Sequence, residues 1–382
     1  MSAIVAISDF CTPLPVEPPF AATPAARVDP ERLAARTWPA ARRQEVRGGY
    51  LERLPLAAVR AGLVEWAEVW DFAGNDQALV AANKPAEWGP RRRRFRADGP
   101  APYRSAQMLA HLDVFGEPAI LCSWGLGVDA SILERCSASV RVYNSIDVAA
   151  LRIPPSVSRH IDLFLASAPW QEAEIRARHK DALVATMPIG PEFASPETFF
   201  PTGDAKDYDV VYVAAAQPYK RHDILLDAFA RLPRTIRGLF VFGHGEDAGA
   251  IRAEIEARRL NILCMGPPEL SYPQVNALMN RARIGVVCGE EDGAPAVLTE
   301  YMLAGLPVLA NERLRCGLDF IRPDTGLTAP AEGFAEAILA LLARAPTMAP
   351  RAVVLEHWTW DRTIERFADY VDRARRRKTC AG

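Results

Sequence analysis

Apolar runs of three to six residues alternate with stretches of helical spacing, twice over, along this chain, and that alternation admits few folds. In the first series the strand-like runs are residues 4–7, 67–72, 119–122, 140–144 and 163–166. Helical spacing lies between them at 51–61, 106–112, 130–136 and 170–178. Strands separated by helices return in the same direction, so the series predicts a mainly parallel sheet covered by helices. A second series has strand-like runs at 210–213, 238–243, 262–265, 284–287 and 308–310, with a helix over 224–229. Between the two, residues 188–203 read PIGPEFASPETFFPTG and combine turn formers with aromatics, as a linker does. The expected organisation is one parallel-sheet domain over residues 1–200, a second over 201–355, and a closing segment over 356–382. A chain of 382 residues, 49% of them hydrophobic, is long enough for two cores.

Composition removes several alternatives. The formal net charge of -2 argues against general nucleic-acid binding, which calls for a strongly basic surface. Apolar runs stay far below the roughly 20 residues that span a bilayer. The first ten residues carry no basic segment and reach Asp9 early, unlike a signal peptide, so a cytoplasmic location is expected. The cysteines at 11, 122, 136, 264, 288, 316 and 380 show no metal-ligand spacing, and most of them read as small buried hydrophobes. Cys288 stands next to the turn described below and is placed to line a pocket. Six prolines fall in residues 11–30, and the alternation fails over 11–44, which reads either as an extended loop or lid over a cleft or as disorder.

The chemistry concentrates in residues 289–310, GEEDGAPAVLTEYMLAGLPVLA. Asp292 and Glu300 stand eight residues apart with Gly293, Ala294 and Pro295 between them, after a strand and at the start of a helix. Open α/β sheets bind ligands beyond the C-terminal ends of their strands, and the free N–H groups of a helix start suit a phosphate. An acid inside that helix accepts hydrogen bonds from sugar hydroxyls instead. Gly305 and Pro307 close the helix and lead into the next strand.

This segment resembles the donor-binding signature of GT-B glycosyltransferases of the large retaining family 4. There an acid, a glycine-containing turn and a second acid eight residues on precede a small-residue helix and Gly-x-Pro-Val, matched here by Gly305, Leu306, Pro307 and Val308. The first acid of the family is usually Glu, and Asp292 is shorter by one methylene. The resemblance implies two Rossmann-like domains facing a central cleft, with the final helix, residues 357–377, crossing back onto the first. It implies transfer of a sugar from a nucleotide-sugar donor to a hydroxyl of a glycan, lipid-linked or small-molecule acceptor, with retention. No cofactor and no metal are expected.

The same resemblance carries further residues. Lys220 follows a strand and precedes Leu-Leu-x-Ala-Phe, as the family's phosphate lysine does; the arginine often found five residues earlier is Ala215 here, and Arg221 is the adjacent cation. A cation at a helix start is misplaced unless an anion joins it, which agrees with a phosphate role. Gly243-His244-Gly245 resembles the turn lining the nucleotide pocket, and Ser271 or Tyr272 stands where the base is held, with capping the other role for Ser271. Gly48-Gly49 resembles the glycine loop near the donor phosphates and equally fits a simple helix start. The histidine often found after an N-terminal strand is absent from Ser123-Trp124-Gly125 and from Asn144-Ser145-Ile146-Asp147. Asp147 is left to orient or deprotonate the acceptor, or to cap. Asp207-Tyr208-Asp209 has a metal-binding spelling but precedes its strand, so solvated acids are expected there. The run Arg91 to Arg94 with Arg96 reads either as solvated or as a holder of an anionic lipid or phosphorylated acceptor at the inner face of a membrane. Against the transferase stand a sugar epimerase or phosphorylase, and a catalytically inactive sugar-nucleotide sensor or partner subunit.

Overall fold

Two separate parallel sheets organise the computed structural model, which describes residues 2–12, 45–74, 90–268 and 270–381. The first contains β1 (Ala3–Thr12), β2 (Trp66–Ala73), β3 (Arg91–Arg96), β4 (Ile120–Trp124), β5 (Val140–Asn144), β6 (Leu163–Ala166) and β7 (Val184–Thr186), in the order β3-β2-β1-β4-β5-β6-β7. The second contains β8 (Tyr208–Val213), β9 (Gly238–Val241), β10 (Ile262–Met265), β11 (Ala282–Val287), β12 (Val308–Asn311) and β13 (Gly326–Ala329), in the order β10-β9-β8-β11-β12-β13. Helices cover both faces, as parallel strands buried on both sides require. The expected loop or lid over 11–44 lies outside the described residues, apart from its first two.

Each sheet separates two cores. On one face of the first, Ile4, Cys122, Val142 and Leu165 pack on the Arg53–Arg60 helix and on the last helix, Trp360–Ala381. That last helix buries Ile364, Phe367, Val371 and Ala374, a spacing that keeps one stripe facing the sheet. It thus returns to the first domain after the second is complete. At the crossing, Trp360 N–H donates to the carbonyl of Ala194 at 3.1 Å, so the two connections between the domains are tied together.

Sequence reasoning missed β3, β7 and β13, and β3 changes the meaning of the arginine run. Its residues add a strand to the sheet edge beside β2. Arg93 lies 2.5 Å from the buried carboxylate of Glu68, Arg91 lies 3.7 Å from it, and Arg92 bridges Asp71 and Glu52. Arg91, Arg92 and Arg93 are thus paired with acids of the same domain, while Arg96 is exposed at the end of the strand. Among the described residues no single helix is long and apolar enough to cross a membrane.

Candidate functional site

In the second sheet the strand order reverses between β8 and β11, and the crevice beyond their C-terminal ends is where such sheets take ligands. Lys220 comes from the connection after β8 and Asp292 from the one after β11. The lysine ammonium and the aspartate carboxylate form an ion pair, mostly shielded from solvent. Burial pulls the ammonium's pKa down, but the charge and hydrogen bond of Asp292, helped by Tyr219, outweigh it and leave Lys220 above the usual lysine value. The Tyr212 hydroxyl donates to the carbonyl of Lys220 at 2.5 Å and fixes the loop from below.

Arg221 goes elsewhere. Its backbone is left-handed, with φ of 52°, which turns its side chain to Glu290 at 2.7 Å and Asp223 at 2.8 Å. The neighbouring cation is therefore not brought to Asp292. His222 follows, packed against Tyr212, Phe240 and Phe242, and burial followed by the Lys220 charge lowers its pKa to about 4.

Glu300 lies in the first turn of the Val297–Leu303 helix and is nearly buried. An acid in the first turn already answers the helix dipole, so this seven-residue helix is a weaker phosphate cradle than the sequence suggests. Glu300 lines a cavity of about 140 Å³ together with Val213, Val241, Gly243 and Tyr272, beyond the ends of β8 and β9. Gly245 is needed beside it: a Cβ there would stand 2.1 Å from the carbonyl oxygen of Ala216, and Ala216 N–H donates to His244 O at 2.7 Å. Ser271 donates from N–H and hydroxyl to Gln274 Oε1 at 2.9 and 2.8 Å, a helix-start role, while Tyr272 reaches the cavity.

The first domain closes over this crevice. A Cβ on Gly293 would lie 1.6 Å from the carbonyl oxygen of Ile146, so only glycine lets the donor turn meet the 144–147 segment. Asp147 stands at that meeting point with its carboxylate 2.9 Å from Arg152, while Gln171 Nε2 donates to its carbonyl at 2.7 Å. Trp170 Nε1 donates to Arg315 O at 2.9 Å across the mouth. Ala294, at φ of 66°, continues the strained turn, and Pro295 leads into the helix. Gly48, at φ of 98°, and Gly49, whose N–H donates to Glu52 at 2.9 Å, open the Arg53–Arg60 helix.

Arg53 escaped sequence reasoning. Its guanidinium reaches across the cleft to Glu300, with side-chain exposures of 3% and 11%. The available signal was a cation on the first residue of a helix, the wrong sign for that end unless an acid meets it.

Other expected positions are placed clear of the crevice. Asp207 pairs with Arg281 at 2.6 Å and Asp209 with Arg283 at 3.0 Å, at the opposite end of β8. Among the described residues no set of three or more His, Cys, Asp or Glu gathers as metal ligands. Cys288 is fully buried, and desolvation holds its thiol well above the ordinary range, so it is no nucleophile.

Two Rossmann-like sheets that meet over a switch-point crevice, with the last helix returning to the first domain, define the GT-B fold. The chain is similar to sucrose-phosphate synthase from Thermosynechococcus elongatus, with a TM-score of 0.67 and 18% identity over 100% of both chains. It is similar to Anabaena HepE, solved with UDP and glucose, at a TM-score of 0.63 and 11% identity over 97% of this chain and 100% of that one. The pneumococcal O-GlcNAc transferase GtfA, solved with UDP and GlcNAc, gives 0.55 and 13% over 71% of this chain, which spans 61% of GtfA. Residues 195–349, which hold the whole switch-point site, match the family described as Glycosyl transferases group 1. No curated protein matches the chain.

Proposed function

We propose that this protein is a glycosyltransferase that moves a sugar from a nucleoside diphosphate sugar to an acceptor hydroxyl, with retention of configuration and without a metal. The observation that carries this is the Lys220–Asp292 ion pair at the switch point, beside the cavity lined by Glu300. The group 1 match over the same residues supports it. The UDP complexes of two structural neighbours make uridine the first base to try.

In this reading each partner of the ion pair has a separate task. The donor diphosphate takes Lys220, a fixed cation that stabilises the charge developing on the leaving group. Asp292, released from the lysine, accepts hydrogen bonds from the sugar. Glu300 receives the ribose hydroxyls, and the base enters the cavity past Gly243 towards Tyr272. The bond from anomeric carbon to diphosphate oxygen breaks, and one to the acceptor oxygen forms. Asp147, which stands beside Gly293 at the cleft mouth, takes the proton that the acceptor hydroxyl loses. The glycine loop at Gly48 and Gly49 closes the donor site from the first domain.

A thermal-shift screen against UDP, GDP, ADP and their sugars tests binding, because a ligand at 100 times its dissociation constant adds about 2.7 kcal/mol. Slow hydrolysis of the best donor, without acceptor, tests turnover. Binding without any hydrolysis or transfer would return the sensor reading, and no binding would remove both.

A further inference from the structure

Three segments that are remote in sequence converge on one side chain. Arg53 Nε donates to Gly48 O at 2.7 Å, Nη1 donates to Gly190 O at 2.6 Å, and Nη2 meets Glu300 Oε1. Gly48 belongs to the glycine loop of the first domain, Gly190 to the connection between domains, and Glu300 to the donor helix of the second. The connection is itself pressed on the donor turn: a Cβ on Gly190 would lie 3.2 Å from Ala294 O, and Thr299 Oγ1 donates to Pro191 O at 2.9 Å. Arg53 is 2% exposed, so its charge depends on Glu300 for compensation, and Glu300 depends on it in turn.

We propose that Arg53 is a positioning residue that aims Glu300 at the ribose and makes that aim depend on closure of the two domains. The inference deepens the donor-site reading above and rests on its placement of the ribose at Glu300. Two backbone carbonyls hold the guanidinium plane, Gly48 O of the first domain and Gly190 O of the connection that leads to the second, so Nη2 meets Glu300 of the second domain only when the first domain is seated. One oxygen of Glu300 is then occupied, and the other is the one left for the 2′- and 3′-hydroxyls of a nucleotide bound in the adjoining cavity. With the domains apart, the acid is no longer held and its rotamers spread. A planar fork suits this task and a lysine does not, because a single ammonium cannot span the three acceptors at their present positions.

The experiment compares UDP with 2′,3′-dideoxy-UDP by calorimetry, or the guanosine or adenosine pair if the base screen selects it. The proteins are wild type, Arg53→Lys, Arg53→Met, Glu300→Gln and the double variant Arg53→Met/Glu300→Gln, in which no lone charge is left buried. Wild type is expected to favour the hydroxylated nucleotide by about tenfold or more, the size of a charge-assisted hydrogen bond. Arg53→Met should erase that ratio while the dideoxy nucleotide binds as before, and Arg53→Lys should restore only part of it. The double variant should resemble Glu300→Gln alone. If Arg53→Met weakens both nucleotides equally, or leaves the ratio intact, Arg53 is structural and the inference is overturned. A wild type that binds a nucleoside diphosphate but ignores the ribose hydroxyls overturns the Glu300 assignment and this inference together, and one that binds none overturns the donor-site reading itself.

Discussion

Lys220 and Asp292, 72 residues apart in sequence, neutralise each other at the point where the second sheet reverses its strand order. On the proposed donor-site reading, a diphosphate competes with a carboxylate for one ammonium, and donor binding releases the acid that the sugar needs.

Lys220→Ala should lower turnover by an amount equivalent to about 2.7–4 kcal/mol, by comparison with loss of one oxyanion donor. Steady-state kinetics with the donor found by the screen measures it. Unchanged kcat together with unchanged UDP affinity would place the diphosphate somewhere else.

Asp292→Asn should separate binding from chemistry in the opposite sense. Without the carboxylate, Lys220 loses its charged partner and keeps only Tyr219, so UDP should bind as tightly as before or more tightly. Turnover should fall, because the sugar loses its acceptor. Calorimetry and initial rates on one preparation decide it: parallel losses in both would count against the division of labour.

Activity should survive EDTA, since the proposed charge compensation comes from a side chain. Rates are to be compared before and after chelation and after adding back manganese or magnesium. Complete loss with metal-dependent recovery would overturn the metal-free reading.

Stability should fall as pH rises from about 4.5 to about 7, in part through Glu192. This acid sits in the linker helix Ile189–Glu192, where Arg366 Nη1 donates to it at 2.8 Å and Thr363 Oγ1 at 3.4 Å. Burial dominates over the favourable Arg366 charge and raises its pKa from 4.5 to about 7. A carboxyl whose folded pKa is raised binds more protons folded than unfolded across that interval, so its contribution is complete below about 4.5 and gone above about 7. Glu192→Gln should flatten this part of the melting-temperature profile, by up to a few kcal/mol in stability. A wild-type slope retained in the variant would assign the effect to other groups.

How much of this was legible follows from how local each signal is. The turn around Asp292, the helix carrying Glu300 and the loop presenting Lys220 each occupy a short stretch with strand, turn and helix markers in order, and the structure brings all three to one crevice. β3 was not legible because its stability does not come from apolar alternation: four consecutive arginines are acceptable in a strand only because Glu68 and Asp71 stand on the neighbouring β2. Arg53 was invisible for a related reason, since its partner is 247 positions away. Arg221 looked like a companion to Lys220 until its left-handed backbone sent it to Glu290. Long-range ion pairs thus account for most of what was missed.

The return of the last helix sets a timetable for synthesis. β7, the final strand of the first sheet, ends at Thr186, yet that sheet's core also needs Ile364, Phe367, Val371 and Ala374. At about 5–20 residues per second, a ribosome takes roughly 10 to 40 s to make the intervening stretch. Throughout that interval the nascent first domain carries an unfilled apolar groove beside Val142 and Leu165, while the second domain, whose strands are contiguous in sequence, is free to complete itself. The domain that is made first is finished last.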